Sequence, residues 1–301
     1  MPLFYYDPIS KERKEEKIYG NLFLRFIYPK NKFLFWLTFP KRFVLCHFKF
    51  FSYLYGFFQK TKHSRKKIPA FCKHFNIDTS EFEKPIEAFT SFNDFFIRKL
   101  KTSARPIAQD DAICFADGRY QFFPEISNTQ TFLIKGQTFN LKKLLQDDAL
   151  TEEFQTGSMA IARLCPTDYH RFHFPFDCTP STPKLINGSL YSVNPWALIK
   201  NINYLAQNKR MITQLTSKFG KSLFIEIGAT SVGSITQTFS PQGPVKKGDE
   251  KGYFSFGGSC IIMLFQKNSM SFEKELLTQT ELEVYCKMGQ KLGFLGFHRK
   301  I

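Results

Sequence analysis

The sequence has no run of about 20 apolar residues free of charge, the length that a membrane-spanning helix needs. The nearest approach, residues 33 to 58, is broken by Pro40-Lys41-Arg42 and by Lys49. Cysteines are few and unpaired in pattern: seven, at 46, 72, 114, 165, 178, 260 and 286, irregularly spaced and with no Cys-x-x-Cys. That argues against a secreted disulfide frame and for reduced thiols inside a cell. The first residues, Met1 to Asp7, lack the basic-then-apolar order of a signal peptide. Acid is scarce beside base, 26 Asp and Glu against 42 Lys and Arg, a formal charge of +16. Such an excess suits an anionic partner. Nucleic acid is disfavoured, because there is no zinc-finger spacing, no RNA-recognition signature and no single dense basic helix. Tryptophan is limited to two residues, whereas phenylalanine numbers 37. That surplus reads either as a coding bias or as an aromatic surface facing a membrane.

The 301 residues suffice for one large domain or for a core domain with an appendage. From 20 to 67, aromatic residues alternate with cations: Phe23, Arg25 and Phe26, then Phe33 to Phe39, Lys41 and Arg42, then Phe43 to Phe58. Basic, aromatic-rich helices of this kind lie in a membrane interface, where anionic lipid adds about 1 kcal/mol per nearby cation. The same pattern also suits a helical layer packed on the main domain. Residues 1–67 therefore read as an α-helical, membrane-associating region, peripheral on the cytoplasmic face of the cell membrane, with a polar hinge at Thr61 to Lys67. Residues 68 to 100 read as helix, with Phe92, Phe95 and Phe96 on one face and a cationic end at Arg98, Lys99 and Lys101.

Beyond about 105, short apolar segments alternate with turn residues. They are Ala112–Ala116, Phe132–Ile134, Ser158–Leu164, Ser189–Val193, Leu223–Gly228 and Gly233–Phe239. Such spacing predicts a barrel or sandwich. Helices are expected at Leu141–Asp148 and Asn194–Ala206. Residues 68–301 thus read as a β-rich catalytic domain, mainly β in fold class, and the whole chain as α+β. A short repeat, Val245 to Phe254 and Val284 to Leu295, places paired glycines at one spacing and predicts two similar turns feeding adjacent strands.

The stretch that invites chemistry is Gly257-Gly258-Ser259-Cys260, followed by the apolar Ile261 to Phe265. It predicts a glycine turn entering a buried strand. Glycine ahead of the serine leaves the preceding carbonyl sterically open, so the hydroxyl can attack that bond. A flexible Gly-Gly-Ser turn fits equally well unless a base is at hand. Of six histidines, His47, His63 and His74 lie in or near the basic block and His298 at the tail, leaving His170 and His173. Neutral imidazole is available as a base inside a cell. The two could instead join Asp177 as metal ligands, although no His-Glu-x-x-His or cysteine pair accompanies them. A carboxylate must orient the imidazole. Asp117, between an apolar segment and Gly118, is the best candidate, and a plain Asp-Gly turn is the alternative.

These residues carry a resemblance. The chain resembles the phosphatidylserine decarboxylases in Phe92-Asn93-Asp94-Phe95-Phe96-Ile97-Arg98, Ala104-Arg105-Pro106, Ala116-Asp117-Gly118, Ile134-Lys135-Gly136 and Tyr169-His170-Arg171-Phe172-His173. It does so again in Gly188 to Pro195, Glu226 to Ile235 and Lys247 to Phe254, and then at the Gly-Gly-Ser site. The resemblance implies that Asp117, His173 and Ser259 form a triad for self-cleavage between Gly258 and Ser259. The products would be a large chain, 1–258, and a small chain, 259–301, with residue 259 converted to a covalent pyruvoyl group. That carbonyl would form a Schiff base with the amine of phosphatidylserine and act as the electron sink for loss of carbon dioxide, leaving phosphatidylethanolamine. His170 would assist this second reaction. No metal is implied. The partners are phosphatidylserine in an anionic membrane and the two chains of one precursor, with a homodimer left open. The sequence departs from the family at Cys260, where Thr is usual. Two other readings remain: a non-catalytic membrane-surface adaptor on the same scaffold, and a metal-dependent lipid hydrolase.

Overall fold

In the computed structural model, which describes residues 3–47, 49–126, 139–229, 234–257, 259–278 and 282–296, the chain opens with an antiparallel pair, β1 (Phe4–Asp7) and β2 (Glu12–Glu15). Four short helices follow: α1 (Asn21–Ile27), α2 (Lys32–Leu37), α3 (Phe39–His47) and α4 (Lys49–Lys60). Asn31 caps α2, its side-chain oxygen accepting from the amides of Phe33 and Leu34 at 2.8 and 3.2 Å. The helix expected over 68 to 100 is instead two short ones, α5 (Ile68–Phe75) and α6 (Phe92–Phe96). Asn76 ends α5 in the left-handed conformation, and the Ser91 hydroxyl starts α6 afresh by accepting from the Asp94 amide at 3.1 Å. The phenylalanines between them still turn inward: Phe71, Phe82, Phe89, Phe92, Phe95 and Phe96 form one buried cluster with Phe256.

The rest of the chain runs β3 (Ala112–Ile113), β4 (Gly118–Phe123), α7 (Leu141–Leu145), α8 (Asp148–Phe154), β5 (Ser158–Leu164), β6 (Arg171–His173), β7 (Thr179–Pro180) and β8 (Lys184–Ile186). Then come α9 (Pro195–Leu198), α10 (Tyr204–Gln207), β9 (Arg210–Ser217), β10 (Gly220–Gly228), β11 (Ile235–Gln237) and β12 (Glu250–Phe254). The last strands are β13 (Ser259–Phe265), β14 (Met270–Phe272), β15 (Glu283–Cys286) and β16 (Lys291–Leu295). Gln146, at φ 49°, ends α7 before Asp148, and the helix expected at 194–206 is likewise two short ones. Ser189–Val193 forms no strand, only a bridge from Ser189 to Asn208. The expected strand at 132–134 lies outside the described residues.

Ten strands make the main sheet, in the order β2-β1-β15-β4-β5-β13-β10-β9-β7, with β8 also paired to β9. Two three-stranded sheets, β11-β12-β6 and β14-β16-β3, complete the β structure. Strand β1 runs parallel to β15, so residues ahead of the helical block join the sheet formed by residues far beyond 67. All seven residues of β13 are buried. Ile261, Met263 and Phe265 pack with Phe172, Phe174 and Phe254, whereas Cys260, Ile262 and Leu264 pack with Leu144, Ala197 and Leu205 of the helices. Burial on both faces is what the unbroken apolar run requires.

The repeat holds in local geometry but not in its expected neighbours. Gly248 and Gly289 turn the chain at φ 88° and 89°, each donating its amide to a carbonyl, of Phe174 and Cys114 respectively, at 2.9 and 3.0 Å. A Cβ on Gly248 would stand 3.0 Å from Ile107 Cδ1, and one on Gly289 would stand 2.5 Å from the Pro106 carbonyl oxygen. The strands that follow, β12 and β16, are not adjacent. Each is the middle strand of a different small sheet.

Where β12 faces the main sheet, Lys251 is fully buried. Its ammonium contacts Glu226, and it donates to Thr213 Oγ1 and Gln237 Oε1 at 2.9 and 2.8 Å. Phe224 and Phe239 lie 4.9 and 5.0 Å away. Four consecutive strands, β9 to β12, thus meet at one buried cation. Lys251→Met should lower stability by about 3–5 kcal/mol, because Glu226 is left buried and unpaired. Adding Glu226→Met should restore most of the loss. Urea unfolding of the two single variants and the double variant, followed by circular dichroism, reads this directly.

Candidate active site

Ser259 is the first residue of β13, opposite Gly228 of β10 and Leu164 of β5. It is fully buried, and its Oγ has no hydrogen-bond partner among the described residues. Gly257, two residues before it, has φ 139°, a conformation that only glycine adopts readily. Gly258 lies outside the described residues, as do residues 134–136 and 230–233 of the stretches singled out above.

His170 and His173 bracket β6. The ladder with β12 sets Arg171 opposite Tyr253 and His173 opposite Glu250, and the His170 carbonyl accepts from the Phe254 amide at 3.0 Å. Of the two, His170 therefore stands nearer to the chain leading into Ser259. Its Nδ1 lies 3.0 Å from the Asp168 carbonyl, an acceptor only, so Nδ1 carries the proton and Nε2 the lone pair. That Nε2 is buried and unpartnered. The ring lies on Phe96, centroids 3.9 Å apart. Burial pushes the imidazole down to about 3. The Asp168 carbonyl opposes the shift, Arg98 adds to it, and the Gly257 carbonyl opposes it without making a hydrogen bond of ordinary geometry.

His173 is engaged at both nitrogens. Nδ1 donates to the Gly248 carbonyl at 2.9 Å, and Nε2 accepts from the Tyr169 hydroxyl at 3.2 Å. Burial lowers its basicity, and the Gly248 carbonyl, Glu250 and Asp117 oppose that. Asp117 precedes β4, buried, but makes no hydrogen bond to His173. Its oxygens take Arg105 Nε at 2.9 and 3.2 Å, Arg105 Nη2 at 2.5 Å and the Met288 amide at 2.8 Å. A forked guanidinium outcompetes a neutral imidazole for a carboxylate. Arg105 is itself tied to Glu81 at 3.0 Å. Asp177 holds Lys246 Nζ and the Lys247 amide at 2.9 and 2.8 Å. Among the described residues it forms no ligand cluster with the two histidines.

Several groups around the histidines were not legible beforehand. The Asp168 carboxylate contacts Arg119 and accepts from the Cys165 amide at 2.7 Å, which holds the carbonyl that orients His170. Arg98 donates to the carbonyls of Thr167 and Asp168, both at 3.1 Å. Arg163 joins Glu16 and Glu283 at 2.6 and 2.5 Å. Burial alone would raise the Glu16 carboxyl, but Arg163 and Arg119 outweigh it and hold the group at about 2. Only the proximity of Asp168 and Tyr169 to the two histidines in sequence hinted at these roles.

A buried, unpartnered serine two residues beyond a glycine in a glycine-only conformation, with a neutral histidine facing that glycine, suits nucleophilic attack on the chain's own backbone. The family model for phosphatidylserine decarboxylase matches residues 92–294. A phosphatidylserine decarboxylase proenzyme of Chlamydia pneumoniae is 43% identical over 298 residues, 96% of each chain. That of Chlamydia muridarum is 49% identical over 254 residues, 83% of this chain and 84% of the relative, and that of Chlamydia felis 48% over 247 residues, 80% and 83%.

The chain belongs to the phosphatidylserine decarboxylase family. The match begins at Phe92, so the helical block precedes the family model, whereas the Chlamydia pneumoniae relative spans that block as well. Ser259 stands at the end of the β5-β13-β10 ladder, Asp117 just ahead of β4 beside β5, and His170 and His173 at the two ends of the β6-β12 pairing.

The buried histidine makes stability depend on pH. The unfolded chain binds a proton at residue 170 below about pH 6.5, and the folded chain binds it only near 3. Folded stability therefore rises with pH and is lost as pH falls, by at most about 1.4 kcal/mol per unit for this group. His170→Asn should remove that part of the slope between pH 6 and pH 5, as read from urea unfolding at a series of pH values. An unchanged slope would mean that the folded imidazole takes up the proton as readily as the unfolded one.

Proposed function

We propose that the chain is a self-processing phosphatidylserine decarboxylase that forms phosphatidylethanolamine and carbon dioxide at a membrane surface. The observation that carries the reading is a pair of buried, unpartnered polar atoms, Ser259 Oγ two residues beyond Gly257 in the chain and His170 Nε2 on the side of the Gly257 carbonyl. Each unsatisfied group costs free energy to keep, and a reactive site explains why both persist.

The fit of residue 259 to a pyruvoyl group rests on that orphaned hydroxyl and the glycine ahead of it. Ser259 Oγ attacks the Gly258 carbonyl carbon, and the amide becomes an ester as the nitrogen takes a proton. Loss of the 259 α-proton then expels the Gly258 carboxylate and cuts the chain. Hydrolysis of the resulting dehydroalanine releases ammonia. His173 is the base for the cutting, its basic Nε2 turned to Tyr169, and in the uncut chain Asp117 favours the imidazolium through space. The pyruvoyl group supplies a ketone carbonyl that takes up a primary amine and draws electrons from the bond to a departing carboxylate. His170 moves the proton that replaces carbon dioxide. As it stands its Nε2 is a base and not an acid, and an anionic headgroup arriving beside it raises its hold on that proton.

Attachment to the membrane is assigned to the helical block. Phe33 and Trp36 are 68% and 73% exposed, and Leu37, Phe39, Phe57 and Phe58 are exposed on the same block. Basic residues surround them, and among the described residues no helix is long and apolar enough to cross a membrane. This supports peripheral binding to anionic lipid. Replacing Phe33, Trp36, Phe57 and Phe58 by serine should move the protein from the membrane pellet to the soluble fraction with its melting midpoint unchanged. Continued sedimentation of the folded variant would sink the assignment.

Intact mass spectrometry tests the chemistry. Active wild type should be two polypeptides, 1–258 and 259–301, the second without a free amine, and hydroxylamine should inactivate it. Ser259→Ala should remain one chain. Asp117→Asn and His173→Ala should slow cutting by about 10³-fold or more. His170→Ala should cut but decarboxylate poorly. A single uncut chain in active protein refutes the reading, and loss of activity to a chelator would favour the metal-dependent hydrolase.

A further inference from the structure

Phe256 stands three residues before Ser259 and takes no part in the chemistry above. Its ring is buried in a box of four aromatic side chains from three segments of the chain. Centroid distances are 4.9 Å to Phe96, 5.3 Å to Phe92, 5.7 Å to Tyr55 and 6.1 Å to Tyr19. Its backbone amide donates to Asn93 Oδ1 at 3.0 Å. At the other end of this short segment Ser259 is locked into the ladder between β5 and β10. The link between the two anchors is glycine, and Gly257 adopts the glycine-only conformation noted above. Phe96, which touches Phe256, also lies on the His170 ring.

Two glycines by themselves would let the segment wander among many conformations, few of which bring a hydroxyl onto the carbonyl before it. We propose that Phe256, seated in this aromatic box and hydrogen-bonded to Asn93, is the positioning residue for self-cleavage, fixing the chain at Gly257 ahead of Ser259. The inference rests on the proposed self-cleavage and adds a residue to it. It also gives the helical block a second role. Tyr55 belongs to α4, and Tyr19 immediately precedes that block, so the seating of the block on the main body is transmitted by ring contact to the segment that is cut.

Misplacing reacting atoms by about 1 Å costs on the order of 100-fold in rate. Newly translated chain, followed by intact mass, should therefore be cut about 100-fold more slowly in Phe256→Ala. Phe256→Leu, of similar volume, should cut within a few-fold of wild type. Asn93→Ala and Tyr55→Ala remove one contact each and should slow cutting about 10-fold with the melting midpoint little changed. Wild type that is never cut overturns the self-cleavage reading and this inference with it. Wild type that is cut, beside folded Phe256→Ala cut at the same rate, overturns the inference alone. If Phe256→Ala does not fold, Asn93→Ala decides: cutting at the wild-type rate overturns the inference, and slowed cutting in a folded chain supports it.

Discussion

A hydroxyl removed from water without a partner costs about 1–3 kcal/mol, and Ser259 carries that cost at the head of a strand with no freedom to relieve it. Strand β13 is paired along its whole length to β5 and β10 and covered on both faces. A slip of one residue would exchange Ser259, Ile261 and Met263 with Cys260, Ile262 and Leu264 on the two faces, which the distinct clusters forbid. The ladder thus holds the serine still. The link ahead of it is where the chain passes from a small sheet to the main one, because β12 pairs with β6 and β13 with β5. A cut there breaks no pairing. Strands β13 to β16 remain laddered to β5, β10, β4, β1 and β3, so the smaller product of the proposed cleavage stays inside the fold.

Charge is distributed to the same end. The chain has a large positive excess, yet several charges around the histidines are paired in the interior, whereas Arg98, the cation that acts on His170, is held by the Thr167 and Asp168 carbonyls. Arg119 meets Asp168 and Arg163 meets Glu16, with Arg105 spanning Asp117 and Glu81. Replaced by apolar residues of similar volume, such pairs often leave a protein as stable or more so, so stability alone does not account for them. Two of them set a group close to a histidine: Arg119–Asp168 the carbonyl on His170, and Arg105–Asp117 the carboxylate near His173. The Met288 amide on Asp117 binds the C-terminal region to this network, so that processing and packing share residues.

The parts of the fold legible from sequence are those with one local cause. Ile261 to Phe265 read as a buried strand because an unbroken apolar run after glycine has few alternatives. The two glycine turns read correctly, since φ near 90° at Gly248 and Gly289 is a local demand. Which strands those turns feed is a tertiary matter, and there the reading failed. The helix across 68 to 100 failed for a different reason. Its phenylalanines are buried as helical spacing requires, but they converge on one cluster from separate short segments, which periodicity cannot distinguish from one long face. At the site, the hydrogen bonds of the residues singled out were not foreseeable. Arg105 lies twelve residues from Asp117 with no pattern linking them, and only folding shows that the guanidinium takes the oxygens a histidine would need.

Cys260 follows Ser259 at the proposed cleavage site, and the structure gives it a physical reading. Side chains alternate along a strand, so the thiol points to the helix-covered face, among Ile227, Ile262 and Leu144, while Ser259 points to the other. Burial raises its hold on the proton well above that of an ordinary thiol, and Arg163 only partly opposes this. Thiolate, not thiol, is the nucleophile, so the group that would be the better attacker in water is kept unreactive where it lies. Strand alternation thus puts the two nucleophiles on opposite faces of β13, so the thiol lies buried among the helices and does not share the surroundings of the Ser259 hydroxyl.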